Sequence, residues 1–166
     1  RFGYTNEEQG NFVVSFNSLE EYTDDLNRLL ATRNERFSQL GIYRNGEQVQ
    51  LNDHWLQMDR EFYSPIRMKR TAAKGKADLE ALRDKGVEYV ELRILDLNPY
   101  ERTGVSLEQL YLVHLFLLPC LFEPSPALTE AERAETNDNQ ARVALFGRKP
   151  GLTLARSGQE VDLDRW

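Results

Sequence analysis

Residues 87–100 read VEYVELRILDLNPY, a run that mixes strand-forming residues with charges that a solvated edge would not need. Side chains alternate faces along a strand, so Val87, Tyr89, Glu91, Arg93 and Leu95 share one face and Glu88, Val90, Leu92, Ile94 and Asp96 the other. The second face, carrying Val90, Leu92 and Ile94, is the expected core face. Glu91 and Arg93 then stand side by side on the opposite surface, a carboxylate and a guanidinium on one rigid element. Two readings are open at this point: a site for metal-bound phosphate, or an ordinary ion pair of the kind that contributes little at a surface.

Working upstream, residues 77–85 have helical character and Gly86 suits the C-terminal stop. Residues 55–70 alternate well enough for a long strand until Pro65 breaks or bends it, with Gln57, Asp59, Glu61 and Tyr63 on one face. If the two strands are neighbours, Asp59, Glu61, Tyr63, Glu91 and Arg93 line one surface, an acidic rim with one arginine. Magnesium favours carboxylate oxygen together with phosphate and water, and phosphoryl transfer depends mainly on positioning and charge neutralisation, so such a rim suits both.

Downstream, Asn98-Pro99-Tyr100 ends the strand with a turn. Ser106 and Gln109 have capping-box spacing ahead of the apolar run 110–122, LYLVHLFLLPCLF, which reads as a buried helix distorted or ended at Pro119. The lone Cys120 lies inside this run and is expected in the core; with no intrachain disulfide possible, a reducing, cytoplasmic setting is expected. The run is shorter than the ~20 residues that span a bilayer, so no membrane is implicated.

Nearer the N-terminus, Ser18 and Glu21 form a second capping-box pattern. Leu19, Tyr22, Leu26, Leu29 and Leu30 follow at helical spacing, which predicts a helix over 19–31. Residues 32–40 extend it or start a short second helix with Phe37 and Leu40 inward. Asn45-Gly46 between two short alternating segments predicts a hairpin. Thr129 and Glu132 cap a third long helix closed by Gly147, and 155–166 reads as a polar, loosely held tail. The class is α+β, with helices covering one face of a small sheet.

At 166 residues the chain is expected to form a single partial domain, residues 1–166. A net charge of -6, from 27 acidic and 21 basic residues, disfavours nucleic acid as a partner. The start Arg1-Phe2-Gly3 lacks an initiator methionine and any signal-peptide pattern, and reads as a piece of something longer. The sequence holds no P-loop, dinucleotide turn, nucleophile elbow, zinc-protease helix or paired C-x-x-C. His54 and His114 are far apart and unsuited to a joint metal site, while Glu88 and Glu91 fall on opposite strand faces, which removes them as a glycosidase pair.

Several separated blocks, in order, carry a resemblance: Gly3-Tyr4-Thr5-Asn6; Phe16-Asn17-Ser18-Leu19-Glu20-Glu21-Tyr22; Tyr63-Ser64-Pro65-Ile66-Arg67 with Lys69-Arg70; the opening stretch from Gly86 to Pro99; and Gly147-Arg148-Lys149-Pro150-Gly151-Leu152-Thr153-Leu154. Together they resemble bacterial glutamate–cysteine ligase nearly end to end. The resemblance implies part of a glutamine-synthetase-like curved antiparallel sheet packed with helices. It also implies an ATP-dependent activity that joins the γ-carboxylate of L-glutamate to the amino group of L-cysteine through γ-glutamyl phosphate, the first step of glutathione biosynthesis. By motif position, Glu91 resembles a Mg2+ ligand, Arg93 the residue contacting the transferred phosphoryl group, and Tyr63 and Tyr4 tyrosines of the cysteine pocket. Family members are much longer, and their N-terminal part supplies most metal-binding acids and much of the sheet; the fragment alone is therefore expected to be inactive. The alternative is a non-catalytic binding or interaction domain derived from the ligase sheet.

Overall fold

The structure, a computed structural model, describes residues 12–73 and 77–166. Its helices and short antiparallel strands match the α+β expectation. The chain divides into two compact units, Arg1–Glu123 and Pro124–Trp166.

In the first unit, α1 (Leu19–Ala31) starts at Ser18, whose hydroxyl accepts from the Glu21 N–H at 3.0 Å. The Glu21 carboxylate turns to the Ser15 hydroxyl instead of closing the box (2.6 Å). Tyr22, Leu26 and Leu29 recur at helical spacing and are buried, which aligns one face of α1 on the core. α2 (Glu35–Leu40) is a separate short helix capped by Asn34; Phe37 is half-buried, but Leu40 is exposed. The Asn-Gly hairpin forms as expected, pairing β1 (Tyr43–Arg44) with β2 (Glu47–Gln48). Asn45 and Gly46 both take positive φ, 52° and 84°, the geometry that favours these two residues in a tight hairpin.

The long strand expected over 55–70 is not there. Asp59–Glu61 form a 3-10 turn, and β3 (Ile66–Lys69) begins only after Pro65. The proline sets the boundary because its ring cannot donate to a ladder. α3 (Asp78–Lys85) ends at Gly86, with φ 77° and its N–H on the Leu82 carbonyl. The core joins α1 and α3: Tyr22, Leu26 and Leu29 pack with Leu79, Leu82, Val14, Leu56 and Phe62. An Arg83–Asp24 ion pair at 3.0 Å spans the two helices at the surface.

β4 (Tyr89–Leu92) pairs antiparallel with β3 in the register Ile66↔Leu92, Arg67↔Glu91, Met68↔Val90 and Lys69↔Tyr89. The chain then turns at Asn98, whose side-chain oxygen accepts from the Tyr100 N–H, and enters α4 (Leu107–Phe122). The Ser106–Gln109 capping box forms in full, and the Asn98 amide donates to the Gln109 side chain at 3.1 Å, tying the end of the strand segment to the start of the helix.

Two burial expectations are overturned here. α4 contains no buried residue, and Cys120 is exposed. Hydrophobicity makes burial favourable but does not supply the covering surface. Pro119 sits inside the helix without ending it.

The second unit is α5 (Glu130–Phe146) and a hairpin of β5 (Thr153–Arg156) with β6 (Gln159–Asp162). The polar tail is therefore an ordered strand pair over much of its length. Asn139 holds β5 through both amide atoms, donating to the Ala155 carbonyl (2.7 Å) and accepting from its N–H (2.8 Å). Glu135 accepts from Ser157 and Gly158 at the hairpin turn (3.0 and 2.8 Å), and Arg142 pairs with Glu160 (2.9 Å). A helix surface thus takes the place of a neighbouring strand, which a polar-tail reading does not anticipate.

Candidate active-site wall

The β3–β4 pair carries Glu91, with Arg93 just past the end of β4 and Tyr63 just before β3. Cross-strand partners in an antiparallel pair point to the same side, so Arg67 and Glu91 share a face, with Arg93 two residues along. Arg93 donates to Glu91 Oε2 at 3.1 Å, which makes the expected neighbours an actual ion pair. The Arg93 backbone is fixed from two sides: its N–H donates to the Pro65 carbonyl (2.8 Å), and its carbonyl accepts from the Tyr63 hydroxyl (3.4 Å). Tyr63, Glu91 and Arg93 are therefore together. Tyr4 lies outside the described residues.

The expected acidic rim is only partly assembled. Glu61 uses its carboxylate to accept from the Gln57 N–H at 2.6 Å, a local bond within the turn region. Asp59 lines a small cleft with Tyr22 and Arg67, and its backbone carbonyl accepts from the Arg67 guanidinium at 3.0 Å. The cleft offers about 20 Å³, room for roughly one water. An amino acid or nucleotide does not fit there.

The face expected as core is not buried on β4. Val90 and Ile94 are 44% and 61% exposed, while Arg67, on the Glu91 side, is only 6% exposed. The helices α1 and α3 bring their own apolar stripes to the core, and buried Arg67 is satisfied by main-chain carbonyls of the 3-10 turn. Arg67 and Tyr22 are the two residues that the charge pattern alone did not bring forward. Pro65 held the signal for the first: once the strand starts after it, Arg67 falls opposite Glu91. Burial pushes the Tyr22 phenol above its ordinary pKa, and the positive charge of Arg67 partly opposes that rise.

Among the described residues no group of three or more His, Cys, Asp and Glu side chains is placed to hold a metal. Glu91 keeps a half-exposed carboxylate with one oxygen on Arg93. That fits a single ligand of a shared Mg2+ site, because magnesium commonly takes one or two protein carboxylates and completes its shell with water and substrate phosphate. No helix among the described residues is long and apolar enough to cross a membrane.

The geometry is thus an ion-paired carboxylate and guanidinium, with the Arg93 carbonyl braced by the Tyr63 hydroxyl and Arg67 buried on the neighbouring strand. Comparison with known proteins makes the class specific. A family model described as glutamate-cysteine ligase matches residues 1–143. The chain is 46% identical over 164 residues to the glutamate–cysteine ligase of Shewanella pealeana, covering 99% of this chain and 31% of that one. It is 44% identical over 154 residues to the Clostridium acetobutylicum enzyme, covering 93% and 32%. A crystal structure of glutamate–cysteine ligase from Francisella tularensis in complex with AMP superposes with a TM-score of 0.90 at 31% identity, covering 96% of this chain and 32% of that one. The chain belongs to the glutamate–cysteine ligase family and spans about a third of the length of these relatives.

Proposed function

We propose that this chain forms one wall of the active site of an ATP-dependent ligase that couples L-glutamate to L-cysteine, the opening step of glutathione biosynthesis. The observation that carries the reading is the Glu91–Arg93 pair at 3.1 Å, at the end of β4 and braced through Tyr63, in a chain of this family. ATP is the co-substrate; the AMP bound to the Francisella relative supports a nucleotide in this fold.

In the proposed reaction, a γ-carboxylate oxygen of glutamate attacks the terminal phosphorus of ATP and the bond to the ADP oxygen breaks. The amino group of cysteine then attacks the γ-carbonyl carbon, phosphate leaves, and the nitrogen loses its proton. Arg93 takes the charge that develops on the equatorial phosphoryl oxygens, where a planar fork of donors outperforms a point charge. Glu91 supplies one carboxylate to Mg2+, which when bound neutralises phosphate charge. Tyr63 and Tyr4 contact the cysteine. Arg67 holds the 3-10 turn against β3 and so keeps Tyr63 in place.

Because the chain spans about a third of the length of its relatives, the substrate space needs walls from elsewhere, and the isolated chain is inactive. The test is a chimaera in which the 164 matched residues of the Shewanella pealeana enzyme are replaced by this chain. Cysteine- and glutamate-dependent phosphate release from ATP is expected in the chimaera and not in the isolated chain. Glu91→Gln in the chimaera is expected to remove most magnesium-dependent turnover. A folded but inactive chimaera overturns the ligase reading, turnover by the isolated chain overturns the wall reading, and an unchanged Glu91→Gln rate overturns the role of Glu91.

A further inference from the structure

The feature that the proposed reaction leaves unused is α4. Over sixteen residues it has no buried side chain, and Leu112 and Phe116 are 69% and 68% exposed. Gln109, Val113 and Leu117 are the half-buried exceptions. They are four residues apart, so they form a single stripe along the helix.

At roughly 100° per residue, the exposed apolar side chains, Leu110, Tyr111, Leu115 and Leu121 among them, sweep an arc of about 240° around the helix. That arc decides between occupants. A second copy of α4 packed helix to helix covers one stripe and leaves the remainder wet. An interfacial lipid helix needs a charged face, and Glu108 is the only formally charged residue of α4. What fits is a surface that wraps the helix on several sides, as a domain interior does.

We infer that α4 is a docking helix for the polypeptide that makes up the other two thirds of a glutamate–cysteine ligase. Two observations identify that occupant. The relatives extend to about three times the length of the segment they share with this chain. The segment keeps the same fold inside a whole ligase chain, with a TM-score of 0.90 over 96% of its length, so the exposed arc is presented in a form that the rest of that chain can cover. The inference rests on family membership and not on the catalytic roles of Glu91 and Arg93.

The test reads solvent access and not turnover, so it stands apart from the fate of the ligase reading. A thiol is placed at mid-arc by Leu115→Cys in a Cys120→Ser background, both in the isolated chain and in the chimaera described above. Maleimide addition is followed by mass spectrometry of the peptide that contains position 115. The expected result is fast addition in the isolated chain and addition at least tenfold slower in the folded chimaera, with the difference erased by urea. Equal rates in the two folded proteins overturn the inference. So does an isolated chain that is dimeric in sedimentation and already protects position 115, because that outcome assigns the face to a second copy. Should the isolated chain aggregate, Leu112→Glu serves as a second readout: it is expected to keep the isolated chain soluble and to lower the melting temperature of the chimaera. An unchanged melting temperature overturns the proposal.

Discussion

Replacing Arg93 by alanine separates a structural from a catalytic use of the same side chain. Among the described residues the side chain of Arg93 pairs with Glu91, at 3.1 Å and partly exposed; such pairs contribute at most about 1 kcal/mol. The substitution leaves the bonds to Pro65 and Tyr63 in place, because both use the Arg93 backbone. A purely structural role therefore predicts a fall in melting temperature of no more than about 2–4 °C and an intact kcat. Charge stabilisation of a transferred phosphoryl group predicts a kcat loss of about 10²–10³-fold, the cost of removing one preorganised donor. The two expectations differ by two orders of magnitude in one measurement. The assay is steady-state phosphate release by the chimaera at saturating ATP, glutamate and cysteine, with melting temperature measured alongside. Arg93→Lys is expected to recover only part of the loss, since an ammonium has the charge without the fork. A kcat for Arg93→Ala within about threefold of the parent, worth less than 1 kcal/mol of barrier, refutes the assignment.

In the second unit, Asn139→Ala removes both bonds to Ala155 and is expected to destabilise the helix–hairpin contact by about 2 kcal/mol, read as faster amide exchange at Ala155; unchanged exchange refutes the bracing role. Ser106→Ala removes the cap of α4 and is expected to cost about 1 kcal/mol in urea unfolding, with Ser106→Gly costing less. Glu88 and Glu132, held by the backbone N–H groups of Thr71 and Thr129, and Glu160, held by hydrogen bonds from Thr153 and Arg142, titrate below their ordinary value of 4.5. Carboxylates depressed by folding contribute stability above their unfolded value that is lost as pH falls through the folded value. The urea midpoint should therefore decline on acidification below about pH 4.5, and a flat midpoint there sinks the argument. Tyr22 has the opposite sign: its raised pKa means that stability present below pH 10.0 is lost at higher pH, with the phenolate absorbance of Tyr22 appearing later than that of an exposed tyrosine.

Local signals in the sequence are most legible where one residue type has one physical use. The caps at Ser18, Ser106 and Thr129, the stop at Gly86 and the Asn45-Gly46 hairpin all form, because each settles a backbone bond or a positive φ within a few residues. Strand period also sets Glu91 beside Arg93, and the two meet as an ion pair although β4 ends at Leu92. Residues 55–64 escaped because alternation is not unique to strands; their turn is set by Pro65 and by the long-range bond from Arg67 to the Asp59 carbonyl. The hairpin of β5 and β6 escaped because its anchor, Asn139, sits far upstream on a helix whose pattern looks merely polar.

The two burial errors have one origin. Assigning Val90, Leu92 and Ile94 to the core, and α4 with Cys120 to the interior, both treat hydrophobicity as evidence of burial. Hydrophobicity fixes only how much is gained when a second surface arrives, at about 25 cal/mol per Å² covered. Within the first unit α1 and α3 cover each other, and the strand pair turns buried Arg67 toward them because the carbonyls at Asp59 and Arg60 satisfy its guanidinium (3.0 and 3.5 Å). A buried charge without such partners would cost several kcal/mol. With that side occupied by Arg67, Glu91 and Arg93, the apolar residues Val90 and Ile94 point the other way. Apolar pattern therefore reports what must be covered, while the buried arginine reports where main-chain carbonyls are placed to receive its charge.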